Sequence, residues 1–269
     1  MEEVIEFFTE QFQNGLGYDS LNTARSALSS LGLQFEGFKV GSHPLIIRYM
    51  KGIFTLRPTK PRYTLIWDVN KVLSFLRQLS PVKHLSLKDL TLKVTMLMAL
   101  TQAARVQTLN FLTVNNVKKT KFEFVFPLAD SIKQNRPNFK VGSLSFKAYP
   151  PDRRLCIYTV LKEYLKRTKV LRESSKSDTL LISYVKPFKH VTRDTISRWI
   201  KTVLIRSGID ISDFGSHSVR SAAVSKAKLN CVPVYDILQK AGWSNEMTFA
   251  KFYDRKIITG DSFQHGVLQ

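Results

Sequence analysis

Apolar side chains recur at helical spacing through most of the chain. In the first sixty residues three stripes stand out: Val4, Phe7, Phe8 and Phe12; Leu21, Ala24, Leu28 and Leu31; Leu45, Ile46, Tyr49, Ile53 and Phe54. Each repeats near 3.6 residues, which predicts helices over 3–13, 19–32 and 43–56. Gly15, Gly17, Gly37 and Gly41 fall between them. The pattern then breaks at Arg57-Pro58-Thr59-Lys60-Pro61-Arg62, where two prolines oppose helix continuation. A small helical domain over 1–57, a basic linker over 58–62 and a larger domain over 63–269 follow from this break.

In the larger domain Val69, Val72, Leu73 and Leu76 mark a helix over 68–79. Ser86-Leu-Lys-Asp89 has the spacing of a capping box, with Asp in place of Glu or Gln. It opens a helix to about residue 102 that is apolar on most sides, so it is expected at the centre of the domain. Residues 121–127 alternate instead, with Phe122, Phe124 and Phe126 on one face of a half-buried strand. Leu144 and Phe146 suggest a second strand over 141–147. Helical spacing returns over 153–167, 192–207, 217–229, 232–241 and 246–253. Thr192 suits an N-cap and Gly208 a C-cap. The fold class expected is mainly α, with a small antiparallel sheet in the second domain.

Charge changes the picture. The chain of 269 residues has a net charge of +20, yet residues 1–60 carry six basic and six acidic side chains. The whole excess therefore lies in residues 61–269, and such a balance attracts polyanions, nucleic acid first. Cys156 and Cys231 match no zinc spacing and suggest a reducing compartment. The acidic N-terminus has no signal-peptide layout. No apolar run reaches about 18 residues, so no membrane span is expected. A ribosomal or chromatin-coating protein would explain the charge but not the residues that follow.

His217-Ser-Val-Arg220 places a His and an Arg three apart, on one helical face. Upstream stand Ala-Ala-Arg105-Val-Gln-Thr-Leu and Ser-Ile-Lys133-Gln-Asn-Arg-Pro; downstream stand Ala-Gly-Trp243-Ser and Thr-Phe-Ala-Lys-Phe-Tyr253. Taken in order, these six positions resemble the tyrosine recombinase (phage integrase) family, most of all the recombinases of DIRS-like, Ngaro-like and Crypton-like eukaryotic mobile elements. The resemblance covers nearly the whole chain. It implies a core-binding domain at 1–57, a catalytic domain at 63–269, and Arg105, Lys133, His217, Arg220, Trp243 and Tyr253 as the catalytic set. Thr108 departs from the acidic residue that many members place three after the first Arg. Trp243 stands where most bacterial members carry His.

The chemistry needs these residue types. Two guanidinium groups can grip a scissile phosphate bidentately and stabilise the charge of its pentavalent transition state. A tyrosine phenol can become a covalent 3′-phosphotyrosine link that conserves the bond energy, so rejoining needs no ATP. The resemblance gives His217 the phenolic proton or the orientation of the phosphate, Lys133 the departing 5′ oxygen, and Trp243 an indole N–H for the phosphate. It implies no cofactor and no metal, duplex DNA as partner, a homo-tetramer in the synaptic complex, and a nuclear location.

Each residue alone has a blander role. Tyr253 reads as a core aromatic, His217 as a cap, Arg105 as a partner of the helix dipole and Trp243 as core. Arg193, Arg198 and Lys201 on the helix over 192–207, with Arg48, Lys51 and Arg57 in the first domain, are candidate DNA contacts. The bland alternative is a solvated basic face. Two rival functions stand beside the recombinase: a domesticated DNA-binding protein without catalysis, and a relaxase of the type IB topoisomerase kind.

Overall fold

Three helices carry the first unit: α1 (Glu2–Gln13), α2 (Tyr18–Ser30) and α3 (Pro44–Leu56). Their core is Phe8, Leu21, Ile46, Met50 and Ile53. The stripes expected from spacing shift slightly. Phe7, Leu31, Leu45 and Phe54 are exposed, and Met50 takes the place in the α3 core that Leu45 and Phe54 were expected to fill. A two-residue hairpin, β1 (Gln34–Phe35) with β2 (Phe38–Lys39), joins α2 to α3. The computed structural model describes residues 1–128, 142–243 and 246–258, and the chain divides into the units Met1–Arg62 and Tyr63–Gln269. Residues 58–62 run with the first unit, where Thr59 hydrogen-bonds Asp19 at 3.0 Å.

The second unit is wrapped around one helix. After β3 (Leu65–Trp67) and α4 (Val69–Gln78) comes α5 (Leu87–Thr101), buried at every residue from Leu90 to Ala99. Around it pack α7 (Ile157–Ser175), α8 (Arg193–Arg206) and α9 (Ser218–Leu229). A short α6 (Val106–Asn110) follows α5; α10 (Val234–Ala241), α11 (Glu246–Phe252) and β7 (Lys256–Ile258) complete the described chain. A three-stranded antiparallel sheet, β4 (Lys118–Lys119), β5 (Glu123–Pro127) and β6 (Ser143–Lys147), covers one side. The fold is mainly α, with eleven α-helices among the described residues.

Several elements differ from expectation for visible reasons. Phe122 was placed on the buried face of its strand but is 62% exposed, because pairing starts at Glu123. Helix α7 runs eight residues past the expected end at 167. Its last turns lack an apolar stripe, and Arg172 replaces it. That buried guanidinium donates to the Thr179 and Leu180 carbonyls at 3.0 and 2.7 Å and stacks 5.6 Å from the Tyr164 ring. At the start of α5, Ser86 Oγ accepts from the Asp89 N–H at 3.0 Å, as a capping box requires. Asp89 does not complete the box: it takes the Ser86 hydroxyl and pairs with Arg206 instead.

Lys93, in the middle of α5, is fully buried. Its ammonium donates to the Leu76 and Leu79 carbonyls at 2.9 and 2.5 Å and to Ser80 Oγ at 3.2 Å, closing the C-terminal end of α4. Burial first, then the charge of Arg154, pulls its pKa down to about 8, against the opposing charge of Asp152. Replacing it by Met fills similar volume but strands those acceptors, so Lys93→Met should lose about 1–3 kcal/mol at pH 7. Because the folded-state pKa is depressed, the unfolded chain holds the proton more tightly above pH 8. The wild type should therefore gain on the variant as pH rises from about 8 towards 10.5. Denaturant melts of both proteins across that range test it.

Candidate active site

Where α5 ends, the chain makes a tight reversal. Gln102 is the C-cap, Ala103 has φ +43°, the Ala103 N–H bonds the Leu100 carbonyl, and the Ala104 N–H bonds the Ala99 carbonyl. This is the Schellman pattern, with alanine in the left-handed position that glycine usually fills. Two residues on, Arg105 leaves the turn in extended conformation as the N-cap of α6.

Arg220 lies in the first turn of α9 and is 1% exposed. Its Nη1 donates to the Ala103 carbonyl at 2.6 Å and its Nη2 to the Ala241 carbonyl at 2.5 Å. The second carbonyl belongs to the last residue of α10, which Gly242 ends with φ +66°. Trp243 follows at once. Its buried ring covers the guanidinium at 4.2 Å and lies 4.3 Å from the ring of Tyr253. The Arg220 guanidinium carbon is 5.5 Å from the Tyr253 ring centroid. The Tyr253 hydroxyl is 3.4 Å from Nε2 of His217, which is solvent-exposed.

Three attachments fix Tyr253 at the end of α11. Ser225 Oγ of α9 donates to the Tyr253 carbonyl at 2.9 Å and accepts from the Arg255 N–H at 3.0 Å. Beyond it β7 pairs in parallel with β3, Leu65 opposite Lys256 and Trp67 opposite Ile258. Lys228 of α9 pairs with Asp254. The same β3 holds the start of α9, since Trp67 Nε1 donates to buried Ser218 Oγ at 2.8 Å, next to His217. Nothing in the sequence pattern announced this three-residue strand or the Ser225 anchor. A Ser five residues after Arg220, and Asp254 beside Tyr253, were the available signals.

The electrostatics are unusual. Burial first, and then the like charge of Arg105, pulls the Arg220 guanidinium down to about 9; Tyr253, as charge and hydrogen-bond partner, pulls the other way. Arg105 is thus close enough to be felt at Arg220, although 115 positions separate them in sequence. Two cations near one another, one of them buried, form a site that favours an anion.

The fold therefore gathers Arg105, His217, Arg220, Trp243 and Tyr253 in one place. Lys133 lies outside the described residues. On α8, Arg193, Arg198 and Lys201 are exposed opposite a buried face of Ile196, Trp199, Ile200, Val203 and Leu204. In the first unit Arg48 and Lys51 are exposed on α3. Arg57 is engaged internally: its Nη1 donates to the Phe12 and Leu16 carbonyls at 3.1 and 2.7 Å, and it stacks 4.0 Å over the Phe12 ring.

No family model matches the sequence, and no curated protein matches it. Solved structures do resemble the fold. XerH site-specific recombinase bound to difH in a pre-cleavage complex is 12% identical, with a TM-score of 0.59 over 98% of this chain and 68% of that one. The Tn1549 transposon integrase in complex with transposon right end DNA is 13% identical, with a TM-score of 0.59 over 99% of this chain and 84% of that one. XerA recombinase is 15% identical, with a TM-score of 0.51 over 98% of this chain and 89% of that one. The chain has the tyrosine recombinase fold. The five gathered side chains come from α9 and its N-cap or from the segments just after α5, α10 and α11.

The left-handed alanine gives a direct test of the turn. Ala103→Val should lose about 1–3 kcal/mol, because a β-branched side chain is poorly tolerated at positive φ. Ala103→Gly exchanges a lost methyl for a relaxed backbone and should stay within about 1 kcal/mol of wild type. Chemical denaturation of the two variants is the measurement.

Proposed function

We propose that this protein is a site-specific DNA recombinase that cuts and rejoins duplex DNA through a 3′-phosphotyrosine link at Tyr253. One observation carries the proposal: the Tyr253 phenol is close to both an exposed imidazole, His217, and a buried guanidinium, Arg220. A nucleophile, a proton acceptor and an anion clamp stand within reach of one phosphate.

Arg105 and Arg220 hold the non-bridging oxygens. The Tyr253 oxygen attacks phosphorus while His217 takes the phenolic proton or orients the phosphate. The bond to the 5′ oxygen breaks, and Lys133 supplies that oxygen with a proton. Trp243 packs the guanidinium and offers its indole N–H to the phosphate. A 5′ hydroxyl from a second strand then reverses the step and releases Tyr253. Bond energy is kept throughout, so the chemistry draws on no ATP.

The DNA complexes formed by the XerH and Tn1549 proteins support duplex DNA as the partner. Arg193, Arg198 and Lys201 on α8, and Arg48 and Lys51 on α3, are assigned as phosphate contacts, their exposure and charge being the support. Arg57 was a candidate for the same surface, but its internal bonds give it a structural task. We assign the protein to a mobile element of the DIRS, Ngaro or Crypton kind, acting in the nucleus as a tetramer on paired sites. The order of the catalytic positions in the sequence supports that assignment.

A nicked duplex that traps the cleaved strand tests the proposal. Wild type should form a covalent protein–DNA adduct, and Tyr253→Phe none. Arg220→Lys should form it on the order of 10²–10³ more slowly, because an ammonium cannot reproduce the planar fork. Sequence-specific binding without any adduct would instead indicate a domesticated DNA-binding protein. Relaxation of any supercoiled plasmid would indicate a topoisomerase-like relaxase.

A further inference from the structure

The turn that carries Arg105 is held from outside the catalytic cluster. Gln102, at the C-cap of α5, is 3% exposed, and its side-chain Nε2 donates to the Ser145 carbonyl of β6 at 2.5 Å. Ser145 sits mid-strand opposite Val125, and its hydroxyl bonds Glu123 on β5. The next residue, Ala103, has the left-handed backbone, and its carbonyl receives Arg220. Arg105 follows two positions later. An alanine at φ +43° keeps that conformation only where its surroundings over-determine it. If Ala103 relaxed to negative φ, its carbonyl would swing off Arg220 and Arg105 would shift with the chain.

We propose that Gln102 is a positioning residue of the arginine pair. Its amide, anchored on the sheet, holds the strained turn so that the Ala103 carbonyl meets Arg220 and Arg105 faces the same anion. Glutamine suits the place because it is neutral, so its burial needs only a hydrogen bond, and it is long enough to span from helix end to strand. The task deepens the recombinase reading and rests on it.

The test measures adduct formation on a nicked duplex selected by the wild type from a pool of random sequence. If wild type forms no adduct with any duplex in the pool, the recombinase reading itself fails. If it does, Gln102→Met, which fills similar volume without a donor, should form adduct on the order of 10- to 100-fold more slowly, with DNA binding within about threefold of wild type. On the same duplex with a methylphosphonate at the scissile position, phosphorus carries no charge and the arginine clamp matters less. The deficit should then shrink to within about threefold. A variant as fast as wild type on phosphate, or equally slowed on both substrates, overturns the positioning role. Gln102→Glu gives a second readout should the first variant fail to fold. Its carboxylate repels the Ser145 carbonyl at pH 8 and regains a donor when protonated. Its deficit against wild type at the same pH should therefore shrink towards pH 5.5, and a constant ratio overturns the role.

Discussion

Arg220 takes a permanent charge to a place where water hardly follows. A buried cation is costly unless it is paired and hydrogen-bonded. The two hydrogen bonds at its guanidinium ends run to backbone carbonyls, of Ala103 and Ala241, which offer dipoles without net charge. Arg105 nearby adds repulsion. The fold tolerates this because the acceptors come from two helix ends, α5 and α10, and because the rings of Trp243 and Tyr253 present their electron-rich faces. An anion between the two arginines would remove both costs together. The arrangement thus favours an anion such as the phosphate of the proposed reaction.

The second constraint is positional. The residues around Arg220 come from segments far apart in sequence, and short, buried contacts bring them together. Strand β3 does so twice, through the Trp67–Ser218 bond beside His217 and through its parallel pairing with β7 just after Tyr253. Ser225 adds a third point by holding the Tyr253 carbonyl. Imidazole and phenol therefore share one frame, and the 3.4 Å between them follows from it.

Much of this was legible in the sequence. The long helices declared themselves by period, and α5 by being apolar all round. The identity and order of Arg105, His217, Arg220, Trp243 and Tyr253 suggested a shared site before any geometry, and the fold brings these side chains near one another. The rest was hidden for physical reasons. The end of α7 is held by a charged residue, Arg172, that no apolar pattern counts. Strands β3 and β7 are three residues each and exist through a pairing 191 positions apart, which local periodicity does not register. Ala103 carries no mark of its left-handed backbone, since glycine is the residue that usually signals it. Arg57 looked like a surface cation, and its two carbonyl partners on the α1 side were invisible until the helices were packed.

The central claim is that one phosphate is gripped by Arg105 and Arg220 while the Tyr253 oxygen faces its phosphorus. Vanadate between cleaved DNA ends mimics the pentavalent state that such a site should bind most tightly. A crystal structure of the protein with a cleaved duplex and vanadate measures the claim most directly. The account predicts vanadium bonded to the Tyr253 oxygen, with both guanidinium groups about 2.7–3.1 Å from its equatorial oxygens. Vanadate bound away from Tyr253, or reached by only one of the two arginines, would contradict it.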